Sequence, residues 1–148
     1  MILVFGFGLA THVSAQTRNL EKSGRALQGY DPVAFFTVGK PVKGDPLISS
    51  KIGSATYYFS SAENKAAFDK QPAKYEPQFG GYCAYGVAKG DLVKIEVDAF
   101  QIVGGRLLLQ YNKSIRDKFN KDPGGHLKAA DANWPTVSQK KPGTSFFD

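Results

Sequence analysis

The chain contains one cysteine, Cys83, so no internal disulfide bond can hold its fold together. Its 148 residues suit one domain, which must then be stabilised by a buried apolar core. The sequence supplies 11 Phe and 7 Tyr for that purpose, and large rings bury much area per residue. A tyrosine-lined pocket for a small apolar ligand is the alternative use of these rings. The core residues that we predict are Phe35, Phe36, Tyr57, Phe59, Phe68, Tyr75, Phe79, Phe100, Leu107, Leu109 and Trp134.

The small number of cysteine and histidine residues limits the chemistry of the chain. The histidines are His12 and His126, so Cys and His together supply three side chains. A structural zinc site made of these two residue types needs four ligands, and it is excluded. A Cys-His hydrolase would also need an orienting group and an oxyanion site, for which the sequence has no motif.

The N-terminal segment predicts export. Residues 1–9 are almost entirely apolar, and Val13-Ser14-Ala15 has the small-residue spacing of a signal-peptidase site. We therefore predict a signal peptide over residues 1–15 and a periplasmic or secreted mature chain, which would lose His12. A disordered N-terminus is the alternative, because no Lys or Arg precedes the apolar run. That run is about half as long as a membrane-spanning helix, so we predict no transmembrane segment in the mature chain.

The net charge of +6 raises the question of a nucleic-acid partner. In the last quarter of the chain, however, basic residues alternate with Asp117, Asp122 and Asp131, as on a solvated helix face. We therefore predict no nucleic-acid binding. Weak attraction to anionic surfaces stays open.

The strand signals predict two antiparallel hairpins. Residues 47–60 contain two strand-like runs around Gly53-Ser54, and residues 100–110 contain two more around Gly104-Gly105. Two-residue turns of this kind need the conformational freedom of glycine.

Short helices are predicted between and after the hairpins. Ser60-Ser61-Ala62-Glu63 matches a capping box, and the helix that it opens should end before Pro72. Asp31-Pro32 predicts a further helical turn with Asp31 as its cap. Two more helices are expected over 114–120 and 125–133. The expected fold class is α+β, with small antiparallel hairpins packed with short helices: a flexible lead-in over 16–26, a domain over 27–137 and a loose tail over 138–148.

Four segments of the chain, at residues 29–36, 57–75, 80–86 and 130–135, together resemble the YHS domain, as it occurs in stand-alone exported bacterial proteins. The run from Tyr57 to Ser61, followed by Phe68, Pro72 and Tyr75, is similar to the YHS core. The flanking segments 29–36, 80–86 and 130–135 look like those of the exported members. The likeness covers about residues 27–137 and implies the small α+β fold of that family.

The resemblance also implies an association with metals, because YHS domains occur in copper-transporting ATPases and other heavy-metal proteins. The metal-binding members typically carry cysteines just after the aromatic strand and one helical turn later. These places match Ser60 and Asn64 here, and a hydroxyl and an amide cannot replace two thiolates. We therefore expect the usual YHS metal site to be absent and Ser60 to act as the helix cap.

A different metal site would have to use the remaining soft or charged ligands. Cys83, His126 and Asp31 would suit a copper or zinc ion if the fold brought them together. The alternatives are a buried structural cysteine or a reactive thiol for Cys83, and an exposed histidine at a helix start for His126.

Three functional hypotheses follow. The preferred one is an exported, non-enzymatic YHS-like binding module for a metal ion or another small ligand. The second is a redox or thiol-active accessory protein that uses Cys83. The third is a metal-free structural or interaction domain.

Overall fold

The computed structural model describes residues 17–142. The signal peptide predicted over 1–15 and residues 143–148 of the predicted tail lie outside the described residues. Within the described range, two antiparallel hairpins pack with six short α-helices, which confirms the predicted α+β class. No helix in this range combines the length and apolar character needed to cross a membrane.

The first hairpin joins β1 (Asp45–Ile52) to β2 (Ala55–Phe59), as predicted from its Gly53-Ser54 turn. Burial alternates along β2, whose inward side chains are Ala55, Tyr57 and Phe59. This two-residue period puts one face of the strand on the core. At its end, β2 runs directly into the helix that carries Asn64.

The second hairpin joins β3 (Glu96–Val103) to β4 (Arg106–Gln110) around the predicted Gly104-Gly105 turn. Both faces of β4 are covered. Leu107 and Leu109 belong to one apolar cluster, and Leu108 belongs to a second. This strand therefore separates the two parts of the core.

The helices are short, and four of the six begin within two residues of the start that the sequence predicts, whereas the helix over Ala84–Ala88 was not predicted. Ser61 caps the second of them by accepting a hydrogen bond from the Asn64 backbone N–H at 3.1 Å. The expectation that Ser60 is this cap is therefore wrong, because its hydroxyl is used elsewhere. In chain order the helices are α1 (Ala34–Thr37), α2 (Ala62–Lys70), α3 (Pro72–Tyr75), α4 (Ala84–Ala88), α5 (Lys113–Phe119) and α6 (Pro123–Val137), with single 3-10 turns at Leu27–Gly29 and Gln78–Gly81.

Helix α6 is longer than the 125–133 expected from the sequence. Asp122 caps its start by accepting from the Gly125 N–H at 3.1 Å. Its C-terminal half continues through Pro135, which lacks a backbone donor. Just before this proline, the Asn133 side chain donates to the carbonyls of Val87 and Ala88, both at 3.1 Å. These bonds and the packing of α6 on α4 hold the helix in place.

Most predicted core residues are buried. Phe36, Tyr75, Phe100 and Trp134 are only partly buried and pack against the edges of the two clusters. The predicted residues that are buried are Phe35, Tyr57, Phe59, Phe68, Phe79, Leu107 and Leu109.

The lead-in predicted to be flexible over 16–26 packs against the domain from residue 17 onward. Thr17 Oγ1 donates to the Ser138 carbonyl at 2.6 Å, and the Asn19 N–H donates to the Gly80 carbonyl at 2.8 Å. We call residues 17–19 the N-terminal strap. Only glycine fits beneath it at position 80, where φ is +61° and a Cβ atom would lie 2.1 Å from the Thr17 oxygen.

Residues 20–26 then form a small N-terminal hairpin, closed by an antiparallel bridge between Leu20 and Ala26. Ala26 is 2% exposed, and its N–H donates to the Thr56 carbonyl of β2 at 2.9 Å. This hydrogen bond places the N-terminal hairpin against β2, although the polar segment has no helix or strand signal of its own.

Candidate functional site

The carboxylate of Asp31 is fully buried and connects three elements of the fold. Its Oδ1 accepts from the backbone N–H groups of Val33 at 2.8 Å and Ala34 at 3.3 Å. Asp31 therefore caps the turn that leads into α1, in agreement with the sequence prediction, although α1 itself begins at Ala34.

The other oxygen, Oδ2, faces the junction of β2 and α2. It accepts from the Ser60 N–H at 2.8 Å, the Ser60 hydroxyl at 2.7 Å and the Asn64 Nδ2 amide at 2.8 Å. Both oxygens of this buried charge are thus satisfied by protein donors, five in all. We call Asp31, Ser60 and Asn64 the Asp31 node.

Ser60 and Asn64 are the two positions that the sequence resemblance aligns with metal-binding cysteines. The Asn64 amide also lies 3.3 Å from the Ser60 hydroxyl, so the two side chains are neighbours. They converge on the same carboxylate oxygen. The node therefore uses these positions to stabilise a buried negative charge.

Cys83 is fully buried at the start of α4. Its sulfur accepts from the backbone N–H groups of Gly86 at 3.4 Å and Tyr111 at 3.2 Å. Its own backbone N–H donates to the Val93 carbonyl at 2.9 Å. These contacts join α4 to the segments on either side of the second hairpin.

The protonation state of Cys83 is set by burial and by Gln110. Burial raises the pKa of the thiol above its ordinary value, and backbone hydrogen bonds oppose that rise only in part. Gln110 Oε1 accepts from the Tyr85 N–H at 3.0 Å, which fixes the orientation of the amide. The same oxygen lies 3.3 Å from the Cys83 sulfur and can only accept, so the sulfur must carry its proton to bond there.

The amide nitrogen of Gln110 has no hydrogen-bond partner in the part of the chain that the structure describes, although the residue is 0% exposed. A buried donor of this kind costs about 1–3 kcal/mol. The sequence shows Gln110 as a polar residue after three leucines, and no motif marks it as buried beside Cys83.

His126 lies in the first turn of α6, partly buried between two rings. Its Nδ1 is 3.0 Å from the Phe119 carbonyl, so this nitrogen carries a proton. Tyr85 and Phe119 lie beside the imidazole, with ring centroids 5.3 Å and 5.5 Å away. The histidine is therefore held as part of the packing between α4, α5 and α6.

The structure gives Cys83, His126 and Asp31 separate surroundings. Within residues 17–142, no group of three or more Cys, His, Asp and Glu side chains is placed to hold a metal ion. The Cys83 sulfur contacts Gln110, and the His126 imidazole contacts the Phe119 carbonyl. The Asp31 carboxylate contacts Ser60 and Asn64. Metal binding by any of the three stays a prediction.

A cavity of about 250 Å³ lies on another part of the molecule, between the N-terminal hairpin, the loop 77–81 and the segment before β3. Tyr57 lines it, and its hydroxyl donates to Glu76 Oε2 at 2.6 Å. Arg18 also lines it and holds the same carboxylate through two nitrogens, at 3.0 Å and 3.2 Å. Burial above all, together with the Glu76 charge, raises the pKa of Tyr57, so the phenol stays neutral.

Sequence reasoning did not identify this cavity. Arg18 and Arg25 line it but lie in the segment predicted to be a flexible lead-in, and no motif marks them.

No protein-family model matches the sequence, and neither a curated protein nor a solved structure matches it.

Proposed function

We propose that the protein is an exported, non-enzymatic YHS-like binding module whose fold is held by the Asp31 node instead of a metal ion. The observation that carries this proposal is the convergence of Ser60 and Asn64 on Asp31 Oδ2, within 2.8 Å each. Metal-binding members of the family that it resembles have cysteines at these two positions. Here the same positions join β2 and α2 to the turn before α1.

The energetics of the node support a role in stability. A buried carboxylate is costly unless hydrogen bonds satisfy it, and hydrogen bonds to a charged group contribute about 1.5–3 kcal/mol each. Five protein donors meet that requirement for Asp31. We therefore propose that the ligand binds in the cavity lined by Arg18 and Tyr57 and not at the Asp31 node.

The surroundings of Cys83 weigh against the redox or thiol-active alternative. Reactive thiols are exposed and have a lowered pKa, because the thiolate is the nucleophile. Cys83 is 0% exposed, its pKa is raised, and Gln110 favours the protonated form. Its contacts are those of a structural cysteine.

Metal analysis of the exported protein tests the proposal. Protein is purified from the periplasm or the medium without chelators, and its metal content and melting temperature are measured before and after EDTA. We expect no stoichiometric copper or zinc and no change in melting temperature. Stoichiometric metal that is lost in Cys83→Ser or His126→Ala, with a lower melting temperature after EDTA, would establish the metal-binding alternative and overturn the proposal.

A further inference from the structure

The first hairpin carries the most exposed large apolar side chain of the described chain. Leu47 in β1 is 91% exposed, whereas Val38 and Ile102, the other exposed large apolar residues in this range, are 54% and 39% exposed. A single exposed leucine is common on protein surfaces and needs no explanation by itself. Leu47 is distinguished by the fixed backbone that holds it in solvent and by the charges around it.

The backbone of β1 is irregular at Leu47. The regular pairing with β2 ends at Ser49, opposite Tyr58, and the next pair joins Asp45 to Phe59. Residues 46–48 therefore form a bulge with no partners on β2. Asp45 Oδ1 accepts a hydrogen bond from the Leu47 N–H at 2.8 Å, which closes the turn at the start of this bulge. The position of the leucine is thus set by the hairpin itself.

A cavity of about 300 Å³, which we call the Lys43 cavity, lies beside this turn. Pro46, the chain neighbour of Leu47, lines it together with Lys43 and Tyr58. Between them, Gly44 packs so closely on β2 that a Cβ atom would lie 2.4 Å from the Tyr58 carbonyl carbon. This close approach fixes the backbone next to Lys43.

The Lys43 cavity has positive charge and no carboxylate among the described residues that line it. The charge of Arg25 is compensated by its ion pair with Glu21. Lys43 has no hydrogen-bond or ion-pair partner in the part of the chain that the structure describes. The excess is therefore the single charge of Lys43. Gln28 and Tyr58 add an amide and a phenol, which can both donate hydrogen bonds.

Carboxylates line two other cavities of similar size. Glu21 lines the cavity beside the N-terminal hairpin, and Glu76 and Asp131 line one of about 260 Å³ on the other side of Arg18. An anionic group that entered either of them would meet a carboxylate. It would meet none among the described residues of the Lys43 cavity, which is therefore the better site for an anionic group.

Further lysines flank the exposed turn in the sequence. Lys40 and Lys51 are exposed, and neither has a hydrogen-bond or ion-pair partner within residues 17–142. With Lys43 they give residues 38–51 three positive charges against the one negative charge of Asp45. The segment that projects Leu47 therefore has a net charge of +2.

We propose that the surface formed by Leu47, Lys40, Lys43 and Lys51 docks on a bilayer that contains anionic phospholipids. Leu47 enters the boundary between headgroups and acyl chains, and the Lys43 cavity receives a lipid phosphate. A bilayer matches both features, because it presents negative charge directly above apolar chains. A soluble anion would leave the leucine in water, and an apolar protein groove would leave the lysines unpaired. Docking is an activity beyond the proposed ligand binding near Arg18.

Vesicle sedimentation of the whole protein tests the proposal. Vesicles of phosphatidylcholine alone are compared with vesicles of equal parts phosphatidylcholine and phosphatidylglycerol, at low and at physiological salt. The variants are Leu47→Ser, Leu47→Trp and Lys43→Gln. Ile102→Ser, which removes an exposed apolar side chain from the other hairpin, and Lys128→Gln, which removes an exposed charge from α6, are the matched controls. The substituted side chains are exposed, so we expect melting temperatures close to that of the wild type.

We expect the wild type to bind the phosphatidylglycerol vesicles at least about tenfold more tightly than the neutral ones, and physiological salt to weaken this binding. Leu47→Ser should lose about tenfold, because it removes the inserted side chain. Lys43→Gln should lose about fivefold, the contribution of one lysine near an anionic surface. Leu47→Trp should bind at least as tightly as the wild type, since Trp favours the membrane interface. Both controls should match the wild type.

Three results would overturn the proposal. One is equal binding to the neutral and the anionic vesicles. The second is a loss in Leu47→Ser no larger than that in Ile102→Ser, which would show that the leucine stays in water. The third is a loss in Lys43→Gln no larger than that in Lys128→Gln, which would show that the overall charge attracts the vesicles and that the Lys43 cavity does not.

Two further measurements identify other occupants of this surface. Without vesicle binding, shifts of the Lys43 and Tyr58 amide resonances on addition of inorganic phosphate would assign a soluble anion. Self-association in analytical ultracentrifugation that is lost in Leu47→Ser, again without vesicle binding, would assign a second copy of the chain. Either result would replace the bilayer as the partner.

Discussion

The Asn64 side chain donates a hydrogen bond to Asp31 Oδ2 at 2.8 Å, across 33 positions of the sequence. This contact ties α2 to the turn before α1, and Ser60 brings the end of β2 to the same oxygen. Because Asp31 is fully buried, the carboxylate depends on these donors for the solvation that water would otherwise supply.

Replacing Asn64 by Ala should therefore destabilise the fold. The change removes one of five hydrogen bonds to a buried charge, so we expect the free energy of unfolding to fall by about 1.5–3 kcal/mol. Asn64→Asp should cost more, because it places a second carboxylate against Asp31. Urea unfolding monitored by circular dichroism measures both. Lys70→Ala, an exposed change on the same helix, is the control, and an Asn64→Ala loss no larger than that of the control would contradict the prediction.

Local signals in the sequence were sufficient for the hairpins and for most helices. The Gly53-Ser54 and Gly104-Gly105 turns fix both hairpins, because their conformation depends on glycine and on the flanking strand periodicity. Tyr57 and Phe59 of β2 were predicted to be in the core and are buried, because alternate side chains of a half-buried strand share one face.

Contacts between distant segments could not be predicted in this way. Ser60 looked like a helix cap, but its hydroxyl binds Asp31, 29 positions away, and Ser61 makes the cap. The N-terminal strap makes hydrogen bonds to Gly80 and Ser138, which no periodicity reveals. The cavity near Arg25 is likewise assembled from segments with no common motif.

Cys83 should react with thiol reagents only when the protein unfolds. The sulfur is 0% exposed and protonated, so a reagent such as DTNB has neither access nor a thiolate to attack. At pH 7.5 we expect labelling of native protein to be at least about 100-fold slower than labelling in urea, in line with the low population of open states. Rapid stoichiometric labelling of native protein would contradict this expectation.

Stability should decrease as the pH rises above about 9. The folded-state pKa values of Cys83 and Tyr57 are raised above their ordinary values of 9.0 and 10.0. Well below pH 9 both groups are protonated in the folded and unfolded chains, so their contribution is complete there. At higher pH the unfolded chain loses these protons and the folded chain keeps them, which favours unfolding by at most about 1.4 kcal/mol per pH unit for each group.

Urea unfolding between pH 8 and 10.5 measures this dependence. Cys83→Ala should flatten the decrease from pH 9 upward, and Tyr57→Phe should flatten it above pH 10. Other groups titrate in the same range, so the comparison is between slopes of the variants and the wild type. Identical slopes in all three proteins would show that neither group contributes.

The geometry of the Asp31 node predicts that two cysteines would create a metal site. Ser60 Oγ and Asn64 Nδ2 are 3.3 Å apart and each lies within 2.8 Å of Asp31 Oδ2. In the double variant S60C/N64C, two thiolates and this carboxylate would supply three ligands of a tetrahedral zinc site, with water as the fourth. The thiolates would also provide the charge and polarisability that the native hydroxyl and amide lack.

We expect reduced S60C/N64C to bind one zinc ion and to melt at a higher temperature in zinc than in EDTA, because the metal binds the folded chain. Wild type and each single variant should bind at least about tenfold more weakly, since each lacks a thiolate of the pair. Adding Asp31→Asn to the double variant should weaken binding again by removing the third ligand. A folded, reduced double variant with no more zinc than the wild type would show that these positions do not converge as the native hydrogen bonds indicate.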